Sequence, residues 1–279
     1  IRWRLSLSVL FGTTLILGAV FLYGFYYSRE LLVDELELKS RYLAEATSYR
    51  IEARMRVVEK AVEGMVASLE LSPPPTAEQI RIMLENTVQQ SGEIYGATVA
   101  LNTTTNVLGL GRTSPYVYEH QDDGSLGFED LAKDDYGYEI QDWDVIPTEL
   151  QRPVWSEPYY DQGGGDILMV TYSSPFYALD AKGQKQMAGI VTSDVSLDWL
   201  TDLLDALFPD ETGHAFLLSR NGTFIAHPNK KLILGENIFS MAEERQDNAM
   251  RELGRRLVAG ASGGVSYLDF MHGQPVWMA

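Results

Sequence analysis

The chain has 279 residues, 45% of them hydrophobic, with 15 tyrosines, no cysteine and a formal net charge of −17. The acidic balance argues against a nucleic-acid partner, which needs clustered Lys and Arg to displace counterions. The lack of cysteine excludes disulfides and thiolate-bound zinc. What remains is a chain of one to three domains whose charge suits a solvated surface and cationic ligands.

Leu5 to Tyr27 carries no charge, and about 20 such residues cross the hydrocarbon core of a bilayer as a helix. Arg2 and Arg4 precede it, which predicts a cytoplasmic N-terminus. Bulky aromatics, not a small-residue cleavage site, follow the apolar run, so a retained anchor is expected and not a signal peptide. The sequence continues from Ser28 to Leu71 as an amphipathic helix, with Leu32, Leu36, Leu43, Ala46, Ala53, Val57 and Ala61 at helical spacing. This stripe suits a seam between two identical chains or packing against the chain's own domain. Ser72-Pro73-Pro74-Pro75 ends the helix, and Thr76 is a candidate N-cap for a second helix over residues 77–90.

Strand signals begin at Ile94: residues 94–101 and 106–111 are short β-prone runs, and 115–135 reads as a long acidic loop. Residues 154–159, 166–177 and 186–195 are stronger strands, separated by Gly163-Gly164-Gly165 and by the turn 180–184, which suggests an antiparallel meander. Residues 197–208 form an apolar helix. A smaller pattern follows: strands at 214–219 and 223–226 around the turn Arg220-Asn221-Gly222, a helix over 238–259, and strands at 265–270 and 275–278. Because the chain ends inside an apparent strand, a further C-terminal part is expected. The domains are then 1–27, a cytoplasmic tip and membrane helix; 28–75, a stalk; 76–204, a larger module; and 205–279, a smaller one. The fold class is α+β with antiparallel sheets.

The stretch 136–194 concentrates aromatic and acidic side chains. Tyr136, Trp143 and Tyr159 offer ring faces, and Asp161 and Asp194 offer negative charge. Aromatic faces attract a desolvated ammonium at about 0.5–2 kcal/mol each, and a carboxylate adds charge-assisted hydrogen bonds. Each residue also has a plain role open to it: core packing for Trp143 and Tyr159, turn formation for Asp161, and capping of the helix after Leu197 for Asp194.

The element order, together with WSEPYYD at 155–161, ILMVTYSSPFY at 167–177, GIVTSDVSLDWL at 189–200 and GHAFLLSRNGTFIAHPN at 213–229, resembles the double Cache (tandem PAS-like) sensor domains of bacterial transmembrane receptors. The resemblance covers about residues 28–279. It implies an extracytoplasmic sensor on the bacterial inner membrane, a homodimer, and a distal module that holds a small ligand. In the amino-acid-binding part of that family, an early aromatic matches Tyr136, a tryptophan matches Trp143, a Tyr-x-Asp pair matches Tyr159 and Asp161, and an aspartate matches Asp194. In that pattern Tyr159, Asp161 and Asp194 would hold the ligand's amino group. Gln141 stands where those relatives have the arginine that grips a carboxylate, and glutamine lacks that charged fork. Arg152 is a substitute candidate. The expected ligand is therefore an amine or another small nitrogenous cation, with an amino acid as the alternative, and an ectodomain without a small-molecule ligand after that.

The histidines at 120, 214, 227 and 272 lack metal spacing, and Asp161–Asp166 lacks the ligand order of a calcium loop. No nucleophile elbow, phosphate loop or zinc-protease motif is present. No metal, cofactor or enzymatic activity is expected within these residues. The output domain stays open among chemotaxis, kinase, cyclic-dinucleotide and phosphatase modules.

Overall fold

The computed structural model describes residues 2–120, 122–133, 135–207, 215–233, 235–261, 263–268 and 275–278. It divides into two compact units, residues 50–261 and residues 1–49 with 262–279.

Helix α1 (Arg2–Leu69) runs without a break from the apolar segment into the amphipathic one. Its N-terminal part is long and apolar enough to cross a membrane, and that part is not buried. In the larger unit, the face of α1 that packs is Val58, Val62, Met65 and Leu69. This stripe is rotated by one residue from the expected Val57 and Ala61. Leu32, Leu36 and Val57 stay more than 40% exposed. After the prolines, α2 (Ala77–Gln90) starts at the expected N-cap. Thr76 accepts from the Gln79 N–H while the Gln79 side chain accepts from the Thr76 N–H, a reciprocal capping box.

One antiparallel sheet organises the larger unit, in the strand order β3-β2-β1-β7-β6-β4, with β5 also on β6. The strands are β1 (Gly96–Leu101), β2 (Pro115–Glu119), β3 (Leu126–Asp130), β4 (Val154–Trp155), β5 (Tyr159–Tyr160), β6 (Leu168–Leu179) and β7 (Lys185–Ser196). Two expectations change here. Residues 106–111 are a turn and not a strand, because Asn106, Gly109 and Gly111 all take positive φ and the Asn102 side-chain amide oxygen accepts from the Thr104 and Thr105 N–H groups. The expected loop 115–135 instead holds the β2–β3 hairpin, whose strands pair from Pro115↔Asp130 to Glu119↔Leu126. Its acidic residues lie outward while Tyr116 and Val117 are buried. The expected strand 154–159 is two short pieces, β4 and β5, on one edge of β6.

The sheet has two unlike faces, as alternation requires. Ala97, Val99, Leu101, Val170, Val191 and Val195 point to the helix side and join Ile80, Leu84 and Val88 of α2 and the buried stripe of α1. Each such aliphatic side chain contributes about 1.5–3 kcal/mol by leaving water. Trp155 Nε1 donates to Glu59 Oε1 at 2.9 Å, and the Arg54 guanidinium lies 4.9 Å from the Trp199 ring centre; both tie the end of α1 to this body. The opposite face is polar and aromatic. Gly96, Thr98, Tyr116, Thr171, Ser173, Thr192 and Asp194 belong to it by register.

Residues 142–150, to which the sequence pattern assigned no element, form α3 (Asp142–Leu150), with Trp143 and Pro147 buried. After β7, α4 (Leu197–Asp205) leads to the short hairpin β8 (Leu217–Leu218) and β9 (Phe224–Ala226), which turns at Gly222 with φ +85°. Residue 208, expected in α4, and 214, expected in the first of these strands, lie outside the described residues. The expected single helix 238–259 is two helices, α5 (Ile238–Glu244) and α6 (Asn248–Val258). Gln246 takes φ +51° between them, and Asp247 caps the second by accepting from the Met250 N–H. In the other unit, β10 (Val265–Leu268) pairs with β11 (Pro275–Met278); residues 269 and 270, expected in a strand, lie outside the described residues. Among the described residues, the segment after α4 thus carries two separate two-stranded sheets, not one continuous second sheet.

Candidate ligand site on the polar face of the sheet

The polar face gathers most of the expected site residues around two buried carboxyls. Asp161 is 5% exposed and Asp194 4% exposed. Asp161 follows β5 and shapes the glycine loop. Its backbone carbonyl accepts from the Gly164 and Asp166 N–H groups, and its Oδ2 accepts from the Gly165 N–H at 2.7 Å. Asp161 is thus a turn former and a site residue at once. Its Oδ1 accepts from the Tyr136 hydroxyl at 2.5 Å, and the Tyr136 hydroxyl accepts from Trp143 Nε1 at 3.3 Å. Trp143, Tyr136 and Asp161, far apart in the chain, are therefore one hydrogen-bonded string.

Asp194 lies inside β7. It does not cap α4, whose N-cap is Ser196. Opposite it on β6 is Thr171. The Thr171 hydroxyl donates to Asp194 Oδ1 at 2.7 Å, so its oxygen accepts from the Tyr159 hydroxyl, 2.6 Å away. Tyr159, Thr171 and Asp194 form the second string.

Burial pushes the Asp194 carboxyl up to about 7, with the negative charge of Asp161 adding to the effect and the Thr171 and Tyr116 hydroxyls opposing it. Burial also raises Asp161, against the hydrogen bonds from Tyr136 and Gly165. Burial raises Tyr136 and Tyr159 as well, and the nearby carboxyls raise them further, so both phenols stay protonated. Among the described residues, no lysine, arginine or histidine forms an ion pair with Asp161 or Asp194.

Neighbouring side chains hold Trp143 in place. Tyr138 stacks on it, with ring centres 6.4 Å apart at 18°, and donates to the Leu101 carbonyl at 2.8 Å. The Arg112 guanidinium lies 5.3 Å from the Tyr138 ring centre and grips Glu139 through Nε at 2.6 Å and Nη2 at 3.0 Å.

Gln141 is half-buried at the entry to α3, and its Nε2 donates to the Tyr136 carbonyl at 3.2 Å. It braces the loop that carries Tyr136 and brings no charge. Arg152 is exposed and donates to the carbonyl of its neighbour Pro153 at 3.4 Å, away from the carboxyl pair. The expected site residues that converge by hydrogen bonding are therefore Tyr136, Trp143, Tyr159, Asp161 and Asp194, with Gln141 bonded to the backbone of one of them.

Sequence reasoning did not single out Thr171, Tyr116, Gly165 or helix α3. Thr171 lies in an apolar run and looked like a strand residue only; its role depends on what stands across the ladder.

Residues 80–202 match the family model described as "Methyl-accepting chemotaxis protein-like, first PDC sensor domain". Residues 80–202 form a PDC (Cache-type) sensor domain. The chemotaxis protein McpA of Pseudomonas putida is 28% identical over 181 residues, which is 62% of this chain and 27% of that protein. The chain spans 15–32% of the length of the curated relatives it matches, all of them methyl-accepting chemotaxis proteins. Among solved structures, methyl-accepting chemotaxis protein X superposes with a TM-score of 0.67 at 18% identity, covering 87% of this chain and 89% of that one. The ligand-binding domain of the Pseudomonas aeruginosa amino-acid chemoreceptor PctC, in complex with GABA, superposes with a TM-score of 0.54 at 20% identity, covering 74% and 82%. At those identities the likeness is one of fold.

Proposed function

We propose that this PDC domain is the extracytoplasmic sensor of a bacterial transmembrane receptor and binds a small molecule through a protonated amine, held between Asp161 and Asp194. One observation carries this reading: two buried carboxyls share a site, and every group bonded to them is neutral. A buried carboxylate without a cation is costly, so such a group either takes up a proton or receives a positive guest. The Tyr136 and Tyr159 rings and the Trp143 indole suit the same guest by cation–π attraction.

The relatives favour an amino acid over a simple amine. PctC is an amino-acid chemoreceptor crystallised with GABA, and PctB was solved with L-arginine. Amino acids and GABA share the ammonium group this site would hold. Gln141 in place of a charged fork leaves the ammonium end as the stronger anchor, so GABA-like molecules and simple amines stay within the ligand class. The apolar N-terminal helix supports a membrane anchor, and the exposed stripe at Leu32, Leu36, Ala53 and Val57 supports pairing of two copies along α1. We take residues 205–279 as a second, membrane-proximal module. The matched relatives support a chemotaxis output.

The test is calorimetric titration of the full chain in lipid nanodiscs with 4-aminobutyrate, L-arginine, butylamine and succinate. The ammonium compounds bind saturably, and Asp161→Asn weakens them about 10- to 100-fold, the range for losing a hydrogen bond to a charged group. Saturable binding of succinate alone would overturn the reading.

A further inference from the structure

Tyr116, on β2, is 1% exposed; its hydroxyl reaches the Asp194 carboxyl and helps hold its pKa down, but makes no hydrogen bond of good geometry among the described residues. A buried hydroxyl left this way costs stability, so a reason for keeping it is needed. Three neighbouring tyrosines are engaged: Tyr136 donates to Asp161, Tyr159 to Thr171 and Tyr95 to the Gly165 carbonyl.

Two glycines locate this hydroxyl. A Cβ on Gly96 would collide with the Tyr116 hydroxyl, and one on Gly165 would come within 3.0 Å of it. Gly96 stands opposite Asp194 in the β1–β7 register, and the Gly165 N–H binds Asp161. The tip of the Tyr116 ring therefore sits at the carboxyl pair. Burial first, then the charges of Asp194 and Asp161, push the phenol well above its ordinary value; it stays a neutral hydroxyl, able to accept one hydrogen bond and donate another.

We propose that Tyr116 contacts the ligand, its hydroxyl oxygen accepting the third N–H of a primary ammonium group whose other two are taken by Asp161 and Asp194. The proposal rests on the ammonium reading above and adds a selectivity to it. An –NH₃⁺ group has three donors and needs three acceptors when it leaves water. A trimethylated nitrogen has no donor and draws nothing from this hydroxyl. Tyr116 thus sets the preference for primary over fully methylated amines.

The experiment compares 4-aminobutyrate with its N-trimethyl derivative by calorimetry on the full chain in nanodiscs, for the native protein and for Tyr116→Phe, together with the unliganded melting temperature of each. The native chain prefers 4-aminobutyrate. Tyr116→Phe weakens it about 10- to 100-fold, the range for losing one hydrogen bond to a charged group. The same variant changes the trimethyl compound less than twofold and leaves the unliganded melting temperature equal or higher. An unchanged affinity for 4-aminobutyrate, or equal losses for both compounds, would overturn the role of Tyr116 while leaving ammonium binding in place. Binding of neither compound by the native chain would remove the ammonium reading itself, and this proposal with it.

Discussion

The Thr171 hydroxyl donates to Asp194 across the β6–β7 ladder at 2.7 Å, and the pairing depends on one irregularity. From the turn, Leu179 pairs with Lys185 and Tyr177 with Met187. Phe176 then pairs with Gly189, so Ala188 has no partner of its own. Without that bulge Val170 would stand opposite Asp194, and an apolar side chain would take the place of the hydroxyl.

The Asp194 carboxyl makes both stability and binding depend on pH. Its folded value is raised to about 7, against about 3.9 for an unfolded aspartate. The folded state therefore binds the proton more tightly. The stability of the unliganded protein from this group is full below about pH 4 and is lost as pH rises to about 7. Asp161 is raised in the same direction, and the Tyr116 and Tyr159 phenols facing the pair stay neutral through this range. An ammonium ligand needs the ionised form, so its affinity rises through about pH 7 as unliganded stability falls. Melting curves and titrations from pH 4.5 to 8.5 measure both, and Asp194→Asn flattens both profiles.

Thr171→Val keeps the shape and removes both hydrogen bonds. The Thr171 bond is one of the effects holding the Asp194 value down, so its loss moves the pH midpoint of binding upward. Leaving the Tyr159 hydroxyl unanswered in a buried site costs about 1–3 kcal/mol, measured by urea unfolding. A midpoint that stays put would show that the Tyr159–Thr171–Asp194 string has no electrostatic role.

Gly164 takes a backbone conformation open to alanine, yet a Cβ there would collide with the Asp161 carboxyl. The side chain can swing aside, at the expense of its bond to the Gly165 N–H. Gly164→Ala therefore lowers ligand affinity about tenfold, comparable to one charge-assisted hydrogen bond, while the melting temperature moves little. Equal affinity in the variant would mean that Asp161 need not hold its present rotamer.

Gln141→Arg introduces a guanidinium beside Tyr136. For ligands with a carboxylate it adds a charged fork, and 4-aminobutyrate gains about tenfold over butylamine in paired titrations. Arg152→Ala changes neither, since that side chain is exposed and bonded to Pro153.

The sequence by itself determined the pieces whose signals are local. An uncharged run long enough for a membrane, prolines that stop a helix, Thr76 with Gln79 three residues on, and the turns at 180–184 and 220–222 all act within a few residues. The spacing of aromatic and acidic residues, read through a family resemblance, reached Tyr136, Trp143, Tyr159, Asp161 and Asp194. Only the tertiary structure decided the rest. The β2–β3 hairpin was hidden because its outward residues are acidic, and α3 because Pro147 and the flanking loop mask its helical face. Thr171 met Asp194, and the Tyr116 ring came to lie at the carboxyl pair, through residues on other strands, set by a single-residue bulge and by two glycines that leave room for a ring. Such relationships are long-range contacts; no window of neighbouring residues contains both halves of them.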